Sequence, residues 1–472
     1  MIVRPKCEKL AAAGLLALTC LNGCKLGPNY RKPVVPIPDV YHGPSEIRDG
    51  QAQAESFADL PWWQVFQDPV LQDLIRKALA NNYDLQLATE RIAAARAQLT
   101  VTHSSEYPQL TTSGFGTNEH AFAGGFPVRT KYSTYAADAT FQLDLFGRLR
   151  RATEAARAQL LSTEYAQKTQ IMTLVSDVAS DYFLLLALDL QLQISRDTVT
   201  TQQDAVKLTR LRVEHGVATR LDVLQAQQVL DTANAQIPEF ERQIGQLEDA
   251  ISILLGDYPH GVARGHPLGE QPMPPEVPAG VPSSLLERRP DISEAEQNLI
   301  AANAEIGVAK AAFFPQISLT GSGGGAAGMT AVFESVLDSN LATWGYAANI
   351  AQPIFEGGQL RGNLRLAKSQ QRQQLIAYKE TIQKAFRDVS DALIAYEKFH
   401  SVRVAQEITV KDLQETVNTS LKRYRGGIAT YLEVLDAQRS LFSAELTLAQ
   451  DRGNEYQSLV QLYKALGGGW QQ

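Results

Sequence analysis

The stretch Arg212-Val213-Glu214-His215-Gly216-Val217-Ala218-Thr219-Arg220-Leu221-Asp222-Val223-Leu224-Gln225-Ala226-Gln227 is written a second time, as Arg423-Tyr424-Arg425-Gly426-Gly427-Ile428-Ala429-Thr430-Tyr431-Leu432-Glu433-Val434-Leu435-Asp436-Ala437-Gln438. Arg, Gly, Ala, Thr, Leu, Val, Leu, Ala and Gln recur in register. Glycine ends a helix because its backbone enters the left-handed region freely. A threonine three residues later can cap the next helix. Each copy therefore reads as a tight turn between helices, over about 214–222 and 425–436. Two upstream pairs keep the same order: Tyr107-Pro108-Gln109-Leu110 with Phe314-Pro315-Gln316-Ile317, and Asp144-Leu145-Phe146-Gly147 with Pro353-Ile354-Phe355-Glu356-Gly357. Generic Leu/Ala heptads would not duplicate that Pro-Gln and Gly-x-Ala-Thr punctuation, so the chain is an internal duplication.

Working outward, each half reads as helix, two strands, very long helix, turn and return helix. Neither Arg148–His215 nor Asn363–Arg425 contains Gly or Pro. At ~1.5 Å per residue each run reaches roughly 95–100 Å, and Leu/Ala spacing suits coiled-coil packing. The strands differ in kind. Tyr135, Ala137, Ala139, Phe141, Leu143 and Leu145 alternate with Thr134, Ala136, Asp138, Thr140, Gln142 and Asp144. That period of two gives an apolar face and a mostly polar one, as in a membrane barrel. Strands are expected over about 109–118 and 132–145 in the first half and 316–323 and 345–354 in the second. Ala121–Val128 and the Gly-rich Gly323–Gly328 are expected as outer links. The run Gly321-Ser322-Gly323-Gly324-Gly325 lacks the Lys-[Ser/Thr] of a phosphate-binding loop.

Four strands cannot close a barrel alone. An open sheet would leave edge groups unpaired in lipid at several kcal/mol each. Barrels close at about eight strands, with an interior filled by side chains. A conduit therefore calls for three copies and twelve strands. The expected fold class is mainly α with membrane β: a trimeric β-barrel continuous with a long α-helical coiled-coil barrel.

The N-terminus reads as an export signal. Arg4, Lys6 and Lys9 precede the short apolar run Leu10–Leu18, and Leu21-Asn22-Gly23-Cys24 follows. Small residues before a cysteine suit a lipoprotein signal peptidase, with Cys24 as the acylated first residue. The three cysteines are Cys7, Cys20 and Cys24, so the processed chain has no disulfide. Lys25 in the second mature position, in place of Asp, favours the outer membrane. After the export signal the longest apolar run, Tyr182–Leu188, is far shorter than a membrane helix. The net charge of −7 excludes a nucleic-acid binder by composition. The seven histidines form no HExxH motif, and no catalytic set, metal site or cofactor is expected.

Further stretches carry a resemblance. They are Gly27-Pro28-Asn29-Tyr30-Arg31-Lys32-Pro33, Trp62-Trp63 with Phe66 and Asp68, and Asn81-Asn82 before Asp84-Leu85. Arg288-Arg289-Pro290-Asp291-Ile292 with Ala295-Glu296, Phe314-Pro315, the turn Tyr431–Arg439 and Lys464-Ala465-Leu466-Gly467-Gly468-Gly469-Trp470 complete the set. Together with Cys24, the chain resembles the outer-membrane factor (TolC-like) family, in its lipoprotein OprM/NodT-type branch. The resemblance implies a homotrimer in the outer membrane, crossing the periplasm, and serving as passive exit duct of a tripartite efflux system. Its implied partners are a periplasmic adaptor and an inner-membrane pump of the resistance-nodulation-division type. It divides the chain into a signal peptide 1–23, a lipid-anchored tether 24–60, a first repeat 61–255, an equatorial connector 256–289, a second repeat 290–452 and a C-terminal equatorial segment 453–472. A duct for type I protein secretion, and a structural coiled-coil lipoprotein, stand as the alternatives. The alternating strands speak against the second.

Function is expected at the two turns. In a trimer Asp222, Glu433 and Asp436 would each form a ring of like charges that repels anions and holds cations; the plain reading of each is a solvated helix face. The resemblance implies an Asp–Tyr gate pair, matched in position by Asp222 and Tyr424. The family's basic residue is absent, since Ala429 stands in its place, and Arg220, Arg423 and Arg425 are candidates to replace it. Gly216, Thr219, Gly427 and Thr430 are the expected adaptor-docking surface, because glycine admits close backbone approach; helix capping is the other reading of the same residues.

Overall fold

The computed structural model describes residues 25–39, 41–43, 57–123, 126–272, 284–331 and 341–470. The signal peptide 1–23 and the lipidation candidate Cys24 lie outside the described residues. The principal elements are α1 (Pro69–Asn81), α2 (Tyr83–Ser104), β1 (Gln109–Ala123), β2 (Phe126–Leu143), α3 (Arg148–Glu214), α4 (Arg220–Leu254), α5 (Pro290–Ala311), β3 (Gln316–Ala331), β4 (Leu341–Ala351), α6 (Gln359–Arg425) and α7 (Tyr431–Ala465). From α2 and from α5 onward the two halves match element for element, and α2 and α5 each run 22 residues. α3 and α6 each run 67 residues, and α4 and α7 each run 35. α4 keeps its course through Pro238, which gives up one i→i−4 hydrogen bond.

The chain separates into two compact units. One comprises Met1–Val34, Arg91–Glu164 and Glu294–Lys379 and holds the sheet. Its four strands lie in sequence order, all antiparallel, so that β2 of the first half pairs with β3 of the second. The strands are longer than the alternation marked out. Ala121–Ala123 pairs with Phe126–Val128, and the Gly-rich run is ladder, not link: Gly323, Gly324 and Gly325 face Ala137, Ala136 and Tyr135. The reason is steric. A Cβ on Gly324 would strike the Tyr135 carbonyl, and one on Gly325 the Tyr135 ring. Tyr135 is flanked by Gly114 on β1 and Gly325 on β3, and its ring covers the bare backbone of Gly325. Ala342, Trp344, Tyr346, Ala348 and Ile350 alternate with Thr343, Gly345, Ala347 and Asn349 along β4. Trp344 and Tyr346 are more than four-fifths exposed and stacked, an aromatic pair on the apolar face.

The Pro-rich N-terminal stretch is seated on this unit over its first residues. Arg151, 1% exposed, donates to the Leu26 carbonyl (3.1 Å) and Asn29 Oδ1 (2.8 Å) and pairs with Glu154 (3.0 Å). Asn303 donates to the Pro28 carbonyl (2.9 Å), and the Tyr30 hydroxyl to Glu296 (3.0 Å). Gly27, at φ +96°, lies against the Gly307 backbone, with no room for a side chain.

The second unit comprises Val35–Glu90, Tyr165–Ser293 and Glu380–Gln472. Val175, Tyr182 and Leu185 of α3 are buried with Tyr456, Val460 and Tyr463 of α7, and Phe183 stacks on Tyr456 at 4.8 Å. The most apolar 18-residue window of α3 is 72% buried, so its hydropathy is satisfied within the fold. Asp68 caps α1 by accepting from the Val70 N–H (2.8 Å), and also accepts from the Tyr182 hydroxyl (2.8 Å), Gln271 (2.7 Å) and the His266 N–H (3.3 Å). Burial alone would raise its pKa, but these hydrogen bonds hold the carboxyl below its ordinary value. Arg289, 6% exposed, binds Asp291 (2.6 Å), Asp388 (3.3 Å) and the Ala465 carbonyl (3.2 Å), which fixes the end of α7.

Candidate functional site

Both turns belong to the second unit and share one backbone design. At the first, the Gly216 N–H reaches the Val213 carbonyl (3.0 Å) and the Val217 N–H the Arg212 carbonyl (2.9 Å). At the second, the Gly427 N–H reaches Tyr424 (3.1 Å) and the Ile428 N–H reaches Arg423 (3.0 Å). These are Schellman closures, and they require a left-handed residue: φ is +74° at Gly216 and +73° at Gly427. A Cβ at either glycine would meet no atom of the described residues within 4 Å, so the space around both is open.

The caps that follow differ. The Asp222 N–H donates to Thr219 Oγ1 (3.3 Å), and Asp222 Oδ2 accepts from the Thr219 N–H (2.7 Å) and hydroxyl (2.9 Å), a complete capping box. Thr430 has the same extended backbone but makes no side-chain cap hydrogen bond. The expectation that both threonines cap is corrected here. Glu433, in the position of Asp222, turns instead toward Arg423 at 3.9 Å. Asp436 is exposed one turn further along α7.

The two turns share a small core. Val206, Ala226, Val229 and Leu230 from α3 and α4 are buried against Tyr431, Val434 and Leu435 of α7. Above it the Arg212 guanidinium lies on the Tyr424 ring, 4.4 Å from its centre, and Tyr424 packs on Tyr431 at 5.1 Å. Burial raises the Tyr424 pKa; Arg212 acts to lower it and Asp222 to raise it. Asp222 is thus within electrostatic reach of Tyr424, while its hydrogen bonds go to Thr219. Arg212 and Tyr431 were not singled out from sequence. The available signal was a break in the repeat: Tyr424 and Tyr431 stand where the first half has Val213 and Arg220.

Equivalent apolar residues at both turns are exposed: Val217 and Ile428, and Leu221 and Leu432. A groove of about 440 Å³ between the end of α6 and the start of α7 is lined by Asp412, Glu415, Thr416, Arg423 and Glu433 among others. Among the described residues no group of three His, Cys, Asp or Glu side chains is placed to hold a metal ion.

Residues 74–257 and 281–468 match the family model described as outer membrane efflux protein. The chain belongs to that family. It is an outer-membrane channel subunit of an efflux pump, as are its relatives by name. It is 37% identical over 463 residues to the probable efflux pump outer membrane protein TtgC of Pseudomonas putida, covering 96% of this chain and 95% of that one. It is 35% identical over 464 residues to the cation efflux system protein CusC of Escherichia coli K12, covering 98% and 99%. Among solved structures it is similar to CusC (TM-score 0.84, 34% identity, 94% of this chain and 100% of that one). It is also similar to the open state of the MtrE outer membrane channel of Neisseria gonorrhoeae (TM-score 0.84, 31% identity, 95% and 99%). The duplicated turns lie within the two segments of this efflux channel that match the family model.

Proposed function

We propose that three copies of this chain close one twelve-stranded barrel and form a passive exit duct of a tripartite pump. The observation that carries this reading is the four-stranded sheet with β1 and β4 as its outer strands. Its apolar face suits lipid, and strand edges in lipid must be paired. Pairing β4 of one copy with β1 of the next satisfies both edges and leaves a lumen. Cys24 serves as the lipid anchor, immediately before the seated segment that starts at Lys25. The duct itself catalyses no reaction.

In this reading the turns are the pore's gate and the docking site of a periplasmic adaptor. Exposed Val217, Leu221, Ile428 and Leu432 beside the open space at Gly216 and Gly427 offer a partner apolar contact and close backbone approach. Asp222, Glu433 and Asp436 give the gate its negative field, with Tyr424 beside Asp222. An inner-membrane pump of the resistance-nodulation-division type would select the cargo. Relatives named for toluene and for cations each match this chain over nearly its whole length, which supports placing selectivity in the pump.

The test combines assembly with conduction. Cysteine pairs, one on β1 and one on β4, are expected to give cross-linked trimers on oxidation, and the purified protein to conduct in planar bilayers. A monomer or dimer end point, or no conductance even after replacement of the tip acids, would sink the duct reading.

A further inference from the structure

We propose that Arg212 is the positioning residue of the resting tip, tying the two turns of one subunit together through the face of Tyr424. The proposal rests on the exit-duct reading. The stack runs Arg212–Tyr424–Tyr431, from the last turn of α3 to the last turn of α6 to the first residue of α7. It therefore bridges both turns above the buried cluster that joins them. The repeat makes the arrangement specific. Arg212 and Arg423 are duplicates of one position, yet only Arg212 lies on a ring, while Arg423 turns to Glu433. The aromatic pair exists only in the second half, so one arginine serves both turns.

The guanidinium lies there at the expense of a hydrogen bond. Arg212 Nε is buried with no acceptor among the described residues. A planar cation over a tyrosine face is attracted by the ring itself and needs no hydroxyl. Ala429 carries no charge, and the cation beside Tyr424 comes from the other turn, as Arg212. Arg212 supplies it by covering the ring and not by pairing with an acid. An open state, such as the one in which MtrE was solved, would require this stack to part if the turns of a subunit separate.

The experiment measures resting current through the purified trimer in planar bilayers, with trimer size checked for each variant. Arg212→Gln and Tyr424→Leu are expected to raise the resting current by about fivefold, the change that loss of a half-buried cation–π contact predicts. Tyr424→Phe keeps the face, loses the hydroxyl and is expected to stay near the wild type; Arg212→Lys keeps the charge, loses the planar stack and is expected to fall between the wild type and Arg212→Gln. Arg210→Gln, two residues away and bonded to Gln227 (3.2 Å), controls for loss of one tip charge. Unchanged current in Arg212→Gln overturns the proposal. So does a Tyr424→Phe current as high as that of Tyr424→Leu, which would give the closure to the hydroxyl. A trimer that conducts in no variant removes the duct reading beneath it, a distinct result.

Discussion

The first turn, Gly216 to Asp222, and the second, Gly427 to Glu433, start from one sequence pattern and finish with different wiring. The backbone halves are alike: two Schellman closures with φ of +74° and +73°. The caps are not. Asp222 folds back onto Thr219, whereas Glu433, one methylene longer, reaches past Thr430 toward Arg423. Duplication conserved what the backbone demands and released what a side chain can satisfy in more than one way. The second turn then carries the aromatic pair, and the first provides the arginine that lies on it.

The largest expected effect tests the shared half of the comparison. Valine at Gly216 or Gly427 should abolish efflux while the trimer persists, with a strain of about 1–2 kcal/mol from the left-handed backbone. Drug- or solvent-susceptibility assays beside a native gel check it, and normal efflux by such a trimer removes the docking role. Next is a contrast between the turns and the packed body. Asp68→Asn places a donor among four donors and should destabilise the second unit by about 2–3 kcal/mol. Its pH dependence has a fixed sign. A carboxyl whose folded pKa is depressed stabilises fully above its unfolded value near pH ~4 and loses that contribution as pH falls through the folded value. The gap between wild type and Asp68→Asn, followed by thermal melting, should thus be full at pH 7 and shrink on acidification below about pH 4.

The third test addresses the difference itself. Asp222→Ala should lower amide protection in the first turn of α4 by about 1 kcal/mol, as loss of a capping box does. Glu433→Ala, which removes only a half-exposed pair, should change α7 by less than about 0.5 kcal/mol. Equal losses in hydrogen exchange would erase the distinction. The smallest effect sharpens it: Glu433→Asp should install the missing box and raise protection at the start of α7 by about 0.5 kcal/mol. No gain would assign the difference to the backbone, where φ is −80° at Thr430 and −103° at Thr219.

Much of the fold was legible because its signals are local and doubled. Gly- and Pro-free runs marked α3 and α6, Gly216 and Gly427 marked the turns, and alternation at Tyr135–Leu143 marked a strand. The Gly-rich run 321–325 misled because glycine signals a loop by its freedom, yet here it answers a neighbour. The space above Gly324 and Gly325 is filled by Tyr135, about 190 positions away in sequence, and glycine in a strand commonly marks such close approach. Arg151 was silent for the same reason. An arginine in a polar helix start reads as solvated, until Leu26, Asn29 and Glu154 close around it.

The sequence by itself determined the duplication, the long helices, the glycine turns and a four-strand inventory that no single chain can close. Each follows from backbone sterics or side-chain period, which are properties of neighbours in the chain. Tertiary structure alone decided which threonine is a cap, which of two duplicate arginines lies on a ring, and which glycines sit under an aromatic side chain. Those outcomes depend on what distant segments bring within a few ångströms, and two copies of one motif with different neighbours settle into different contacts.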